Sequence, residues 1–228
     1  MSDREAGVEA AVLVIGGIDS AVLCVDLARR YARVHPIYVR FGLRWEGAEL
    51  AGLRTFLDQV RRPALAPLVV LDEPVVDVYA SHWSMAGPSV PDAGSADEAV
   101  YLPGRNLLLA TKAAVWCRLR GVETMAFGSL ASNPFPDSSA GFFAQMEAVL
   151  NRGMGGRLRL VRPYERLAKV EVLRLGAGLP LGSTFSRLDP IEGRHCGSCN
   201  KCAERRRAFR AASMIDPTPY ARAPARST

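Results

Sequence analysis

Two short groups of residues have the types and spacing that chemistry requires. The first is a glycine turn, Gly16-Gly17-Ile18-Asp19-Ser20. Glycines admit positive φ angles and close approach, and the first N–H groups of a helix attract anions. The turn therefore predicts a phosphate site in which Ser20 donates a hydroxyl and Asp19 either binds Mg²⁺ or caps the helix. A structural turn without a ligand is the alternative.

The second group is a C-x2-C-x2-C cluster, Cys196, Cys199 and Cys202, whose spacing brings three thiolates onto one metal ion. Tetrahedral zinc needs a fourth ligand. The candidates are a water or one of three nearby side chains: His195, Asp189 and Glu192. A [4Fe–4S] cluster with three cysteine ligands suits the same spacing, and reduced thiols without a metal are the remaining alternative.

Alternating apolar and amphipathic segments position these groups. An apolar strand over residues 10–15 leads into the glycine turn, and a helix over residues 21–32 follows it. The same alternation predicts strands over residues 34–41, 65–71, 124–128 and 157–161, and helices over residues 44–60, 106–119, 141–152, 168–175 and 203–212. This pattern is typical of an α/β fold, a Rossmann-like parallel sheet with helices on both faces.

Segments without a clear period complete the chain. Residues 73–100 are rich in Pro, Gly, Ser and Asp, which indicates an ordered loop or lid. We expect a nucleotide-binding domain over residues 8–182, a small cysteine-rich metal-binding segment over residues 183–216 and a frayed tail over residues 217–228.

Composition limits the functional classes. With 228 residues, of which 49% are hydrophobic, the chain can bury one sizeable core. It has no apolar run of about 18 residues and no basic, apolar leader, so we expect a cytoplasmic protein without a membrane partner. The net charge of +6 comes from arginine, which favours a charged surface over a nucleic-acid site, although a nucleic-acid partner stays open.

Several segments add a family resemblance. Residues 14–20 are similar to the Ser-Gly-Gly-x-Asp-Ser signature of the PP-loop ATP pyrophosphatases, with Ile15 at the usual serine position. Later segments resemble, in the same order, one branch of that superfamily, the 7-cyano-7-deazaguanine synthases: Leu102-Pro103-Gly104-Arg105-Asn106, residues 132–138, Lys169, and residues 195–202 with Arg205 and Phe209.

Two further segments depart from the family pattern. Arg187 follows Thr184-Phe185-Ser186 where the family has a fourth cysteine. Ser138-Ser139 replaces a Cys-Arg pair. These changes indicate a divergent member.

The resemblance implies an adenine nucleotide α-hydrolase type of fold and a role in queuosine biosynthesis. It implies an ATP-dependent ligase that adenylates the carboxylate of a deazapurine-type heterocycle, 7-carboxy-7-deazaguanine or a relative, and converts it with ammonia to an amide or nitrile, releasing AMP and pyrophosphate. It also implies ATP, Mg²⁺ and Zn²⁺ as cofactors and a homodimer.

The same resemblance assigns roles to individual residues. Catalysis and phosphate binding fall to Asp19, Ser20 and Lys169. The nucleotide is expected to contact Gly16, Gly17, Ile18 and Phe41, although a core role for Phe41 is the alternative. The substrate is expected to contact Arg105, Asn106, Asn133, Pro136 and Asp137. The metal falls to Cys196, Cys199 and Cys202.

Two other functions are compatible with these residues. In one, the adenylated acid passes to an amine on a partner protein or tRNA, guided by the basic helix over residues 203–212. In the other, Ile15 marks a nucleotide-binding subunit whose catalysis is impaired and which acts by interaction.

Overall fold

Five parallel strands form a single sheet, in the order β3-β2-β1-β4-β5, in the computed structural model, which describes residues 5–186 and 188–222. The strands are β1 (Glu5–Leu13), β2 (Tyr31–Arg40), β3 (Val69–Asp72), β4 (Thr124–Ala126) and β5 (Arg159–Val161). β1 pairs with both β2 and β4, so the sheet grows outward in both directions from β1. Ligands of such sheets bind in the crevice outside the carboxyl ends of the two central strands.

Helices cover both faces of this sheet. They are α1 (Ile18–Leu27), α2 (Glu46–Gln59), α3 (Val76–Tyr79), α4 (Arg105–Arg120), α5 (Ala140–Met154), α6 (Lys169–Leu175) and α7 (Asn200–Ala211). On β1, Ala11 and Leu13 pack with α4 and α5, whereas Val12 packs with α1, α6 and α7. The predicted α/β fold is confirmed. None of the helices in the described part of the chain is long and apolar enough to cross a membrane.

Several predicted boundaries were wrong. The strand expected over residues 65–71 begins only at Val69, and Leu65 makes an isolated bridge to Val34. Pro67, which lies between Leu65 and Val69, has no N–H to donate and so interrupts the pairing. The first helix ends at Leu27, since the chain turns there to begin β2. The expected lid over residues 73–100 is ordered around α3 and a 3-10 turn, Asp97–Val100.

The frayed tail predicted beyond Asp216 is wrong for residues 217–222. Thr218 is buried and accepts a hydrogen bond from Arg205 Nε at 2.6 Å. The Tyr220 ring lies 5.8 Å from the His195 ring, and Ala221 N donates to His195 O at 2.6 Å. These residues therefore pack against the cysteine-rich segment. Residues 223–228 lie outside the described chain.

Candidate active site

A cavity of about 280 Å³ opens at the carboxyl ends of β1 and β4. Its walls come from the glycine turn, the start of α4, the loop after β4, and the first turns of α6 and α7. The predicted site residues that line it are Gly17, Ile18, Asp19, Ser20, Arg105, Asn106, Asn133, Asp137 and Lys169. Gly16, Phe41 and Pro136 do not line this cavity, and Phe41 is buried in the core.

The glycine turn is shaped by close contacts. Gly16 has φ 71°, and a Cβ there would meet Glu49 Cγ at 2.4 Å, so only glycine fits. Ser20 Oγ accepts a hydrogen bond from Ile15 N at 3.2 Å and donates to Gly17 O at 3.3 Å. No side chain caps α1 at Gly17. The first N–H groups of the helix are therefore suited to an anion.

Asp19 and Lys169 meet beside this turn. Lys169 Nζ donates to Asp19 Oδ2 at 2.6 Å. The other carboxylate oxygen, Oδ1, is buried and has no hydrogen-bond partner among the described residues. An orphaned buried carboxylate oxygen next to a phosphate-binding turn fits a Mg²⁺ ligand.

The start of α4 holds the predicted substrate residues. Asn106 N donates to Asp137 Oδ2 at 3.1 Å, and Asn106 Nδ2 donates to Asp137 Oδ1 at 3.2 Å and to its backbone oxygen at 3.0 Å. Burial raises the pKa of Asp137, although the hydrogen bonds from Asn106 act to lower it. Asp137 thus caps α4, while Arg105 Nε is buried without a partner in the described chain and suits an anionic group.

Two aromatic rings form one wall of the cavity. Tyr101 and Phe135 stack with ring centroids 5.2 Å apart and an interplanar angle of 28°. Asn133 Oδ1 accepts from Phe135 N at 3.1 Å and so fixes the loop that carries this ring. An apolar, flat wall of this kind suits a planar heterocycle.

Sequence reasoning missed Glu49, which also lines the cavity although it is only 6% exposed. Tyr38 Oη donates to Glu49 Oε2 at 2.6 Å. Burial is the main cause that raises the pKa of Glu49 to about 7. A signal existed, because Glu49 stands on the buried stripe of α2 with Leu53 and Phe56.

Sequence reasoning also missed the contribution of α7. Lys201, Glu204 and Arg205 line the cavity, and Lys201 Nζ lies 2.7 Å from Glu204 Oε2. Burial opposes ionisation of Glu204, but the charges of Lys201 and Lys169 lower its pKa. A signal was available here too, since Lys201 lies between two of the clustered cysteines.

The three clustered cysteines converge as their spacing predicts. Their Sγ atoms all lie within 4.8 Å of one another, and those of Cys196 and Cys202 are 3.7 Å apart. Hydrogen bonds from the thiols of Cys199 and Cys202 lower the pKa of Cys196. Three buried soft donors in one place fit a thiophilic ion such as Zn²⁺.

The side chains considered as a fourth ligand have other partners. His195 Nε2 accepts from Ser186 N at 3.2 Å. Asp189 pairs with Arg44 at 3.8 Å, and Glu192 pairs with Arg194 at 3.0 Å. Within residues 5–186 and 188–222, the metal-ligating group contains the three cysteines alone.

Comparisons with known proteins find relatives over most of the chain. A family model described as queuosine biosynthesis protein QueC matches residues 9–213. A 7-cyano-7-deazaguanine synthase of Anaeromyxobacter dehalogenans is 34% identical over 236 residues, which cover 93% of this chain and 96% of the relative. The corresponding synthase of Acidobacterium capsulatum is 29% identical over 224 residues, with the same coverage.

A solved structure supports the fold alone. It is titled as a predicted subunit of tRNA methyltransferase from Methanocaldococcus jannaschii. The alignment has a TM-score of 0.50 at 16% identity and covers 81% of this chain and 82% of that one.

Proposed function

We propose, because the chain belongs to the queuosine biosynthesis protein QueC family, that it is an ATP-dependent ligase acting on 7-carboxy-7-deazaguanine or a related deazapurine acid. The acid is adenylated and then converted with ammonia to the amide and nitrile, with release of AMP and pyrophosphate. One observation carries the proposal. A single cavity joins the glycine turn and the Asp19–Lys169 pair to Arg105 and the Tyr101–Phe135 wall.

The need for ATP follows from the chemistry of the acid. A carboxylate is a stabilised anion with a poor leaving group, so attack by ammonia stalls. Transfer of AMP to one carboxylate oxygen breaks the α,β-phosphoanhydride bond and gives an acyl adenylate, a mixed anhydride that ammonia can open. A second adenylation on the amide oxygen allows the nitrile to form. Because both steps are attacks on an α-phosphate beside the same heterocycle, one cavity can serve both.

The residues divide this work between two ends of the cavity. The turn N–H groups, Ser20 and Lys169 bind phosphate oxygens, and the orphaned Asp19 Oδ1 would hold Mg²⁺, which neutralises the phosphate charge. Arg105 binds the carboxylate of the acid. The Tyr101–Phe135 wall and Asn133 orient its heterocycle.

We assign the cysteine group to one structural zinc ion, which Cys196, Cys199 and Cys202 would hold. Asn200, next to Cys199, donates to Ser95 O at 2.7 Å. An ion at the cysteines would thereby fix both the segment before α4 and the first turn of α7. The family resemblance also leads us to propose a cytoplasmic homodimer.

The test is a product analysis. The protein is incubated with ATP, Mg²⁺, ammonium and the deazapurine acid, and adenine nucleotides are separated by chromatography. We expect acid-dependent formation of AMP rather than ADP. Absence of AMP, with ATP and acid binding intact by calorimetry, would contradict the proposal.

A second candidate function has its own observation. Arg207 and Arg210 are exposed on α7, the helix whose first turn lines the cavity. This basic surface suits an acidic macromolecule whose amine would accept the activated acid in place of ammonia. Intact-mass analysis of macromolecules that copurify with the chain separates the two functions, because only amine transfer adds the mass of the heterocyclic acyl group.

A further inference from the structure

We propose that Glu49 forms an ammonium site in this cavity, where its carboxylate binds the cation and takes its proton beside the activated acid. The inference rests on the proposed function, which supplies the acyl adenylate. The proposed function assigns Asp19 to Mg²⁺, and both carboxylate oxygens of Asp137 accept hydrogen bonds from Asn106, so neither serves as the base for this step.

The first support is the geometry of the carboxylate. Glu49 faces the cavity from α2, and Tyr38 occupies only its Oε2 oxygen. Among the described residues, Oε1 has no hydrogen-bond partner, and it is not one of the atoms sealed from solvent. This oxygen can accept an N–H from a small cation that enters the cavity.

The second support is the surface around the carboxylate. Trp45, the residue immediately before α2, lines the same cavity, and Leu13 and Phe127 add apolar surface. A cavity that combines aromatic surface with a buried carboxylate suits a compact cation. The same apolar surroundings exclude competing water from the acyl group.

The third support is the position of Arg105. Burial raises the pKa of Glu49 and of Asp137, and in both cases the Arg105 guanidinium opposes it. Arg105 therefore lies within electrostatic range of both carboxyl groups. If Arg105 holds the carboxylate of the substrate, the ammonium on Glu49 shares one cavity with the carbon that it must reach.

The proton balance assigns one role to Glu49. Ammonium gives one proton to the Glu49 carboxylate and becomes ammonia. The nitrogen lone pair then forms the C–N bond, and the C–O bond to AMP breaks with its electron pair staying on AMP. The second proton leaves the new amide nitrogen for a phosphate oxygen of AMP or for solvent. No oxidant or further reactant is needed.

The pKa of about 7 fits such a base, since an effective base titrates near the working pH. After burial, the charged and titratable groups that act on Glu49 are Arg105 on α4, Tyr38 on β2 and Glu46 on α2. We expect ammonia-dependent turnover to fall as the pH drops below about 7, because Glu49 becomes protonated.

The test compares Glu49→Gln with the native chain in three assays. Acid-dependent ATP–pyrophosphate exchange reports adenylation alone. Amide formation from ammonium requires deprotonation of the nucleophile, whereas hydroxamate formation from hydroxylamine, which is neutral at pH 7, does not. We expect Glu49→Gln to keep exchange and hydroxamate formation within about 3-fold and to lose about 100-fold in amide formation at pH 7.

Raising the pH should restore amide formation in Glu49→Gln, because free ammonia then needs no base. Asp58→Asn is the matched control, since Asp58 lies exposed on the same helix and pairs with its neighbour Arg61. Amide formation near the native rate in Glu49→Gln at pH 7, or an equal loss in all three assays, overturns the inference.

A second variant covers a failure of Glu49→Gln to fold. Tyr38→Phe removes the hydroxyl that bonds to Glu49 Oε2. Because that bond lowers the pKa of Glu49, its loss should move the acidic limb of amide formation to higher pH without moving the limb for hydroxamate formation. An unmoved limb contradicts the inference. If the native chain itself forms neither hydroxamate nor AMP, the proposed function fails instead.

Discussion

Lys169 at the start of α6 donates to Asp19 in the first turn of α1 across 2.6 Å, although 150 residues separate them in sequence. The contact joins the two helices that pack side by side beneath the glycine turn. It also places one cation and one carboxylate at the phosphate end of the cavity. The charge of Lys169 is thereby held where an α-phosphate would gain negative charge during transfer.

Substitution of Lys169 should therefore affect adenylation rather than folding. We expect Lys169→Ala to lower the rate of acid-dependent ATP–pyrophosphate exchange about 100-fold. Lys169→Arg, which keeps the charge, should lose less. Lys112→Ala is the control, since Lys112 pairs with Glu73 on the surface at 3.2 Å. Equal exchange rates in Lys169→Ala and Lys112→Ala would remove Lys169 from the phosphate site.

Gly16 is the second point to test, because both its φ of 71° and its contact with Glu49 exclude a side chain. We expect Gly16→Ala to cost at least about 1–2 kcal/mol in the free energy of unfolding and to weaken ATP binding. Gly47→Ala is the matched control, since Gly47 lies in the first turn of α2 with nothing within 4 Å of a new Cβ. That control should be neutral or stabilising.

Chemical denaturation and calorimetric titration with ATP measure both Gly16 effects. If Gly16→Ala and Gly47→Ala unfold at the same denaturant concentration, the turn does not have the shape described.

The sequence predicted the sheet and the position of the glycine turn because both are local. A strand followed by glycines and a helix is encoded within about ten residues, and the order of such units determines a parallel sheet. The contact between Tyr38 and Glu49, which holds Glu49 at the cavity, was not predicted, since it spans 11 residues and two elements. A glutamate on a buried helical stripe was the available signal.

The predicted cysteine site has a similar limit. C-x2-C-x2-C spacing correctly brought three sulfurs together, because tight turns act over a few residues. The packing of residues 217–222 was not predicted. Thr218 bonds to the buried side chain of Arg205, and the arginine-rich sequence of α7 looks like an exposed helix, so it does not reveal that Arg205 is buried.

Metal content is the third prediction. We expect one zinc per chain by elemental analysis, and loss of that zinc in Cys202→Ser. Cys117→Ala should keep it, because Cys117 is buried but does not belong to the group of three converging sulfurs. Chelation should lower Tm by at least about 5 °C, since bound metal contributes directly to folding free energy.

Iron with visible absorption would indicate the [4Fe–4S] alternative. A protein that contains neither zinc nor iron would have three reduced thiols at this position. In either case the zinc assignment would be contradicted.

Ile15 distinguishes an active ligase from an impaired subunit. Its half-buried side chain lines the cavity next to Gly16, where the PP-loop signature usually has serine. A serine hydroxyl would add one hydrogen bond to a phosphate oxygen, typically about 1 kcal/mol. We therefore expect Ile15→Ser to raise the exchange rate by less than about 10-fold over an already active native chain. Turnover that exists only in the variant would instead support the impaired subunit.

Glu49 allows a test in stability that is independent of turnover. Its pKa in the folded chain is raised by burial from 4.5 to about 7, so the folded state binds more protons than the unfolded state between these values. By linkage, its contribution to stability is complete below pH 4.5 and is lost as the pH rises through about 7. Because each unit of difference between the folded and unfolded pKa corresponds to about 1.36 kcal/mol, the loss of stability amounts to about 3 kcal/mol.

Glu49→Gln cannot lose a proton and should escape this penalty. We expect its free energy of unfolding to match the native chain near pH 4.5 and to exceed it by up to about 3 kcal/mol at pH 8, measured by urea denaturation. Parallel pH curves would show that Glu49 is not the buried acid described. A variant that is more stable at pH 8 yet about 100-fold slower in amide formation at pH 7 would mean that this chain keeps a destabilising carboxylate because catalysis requires it.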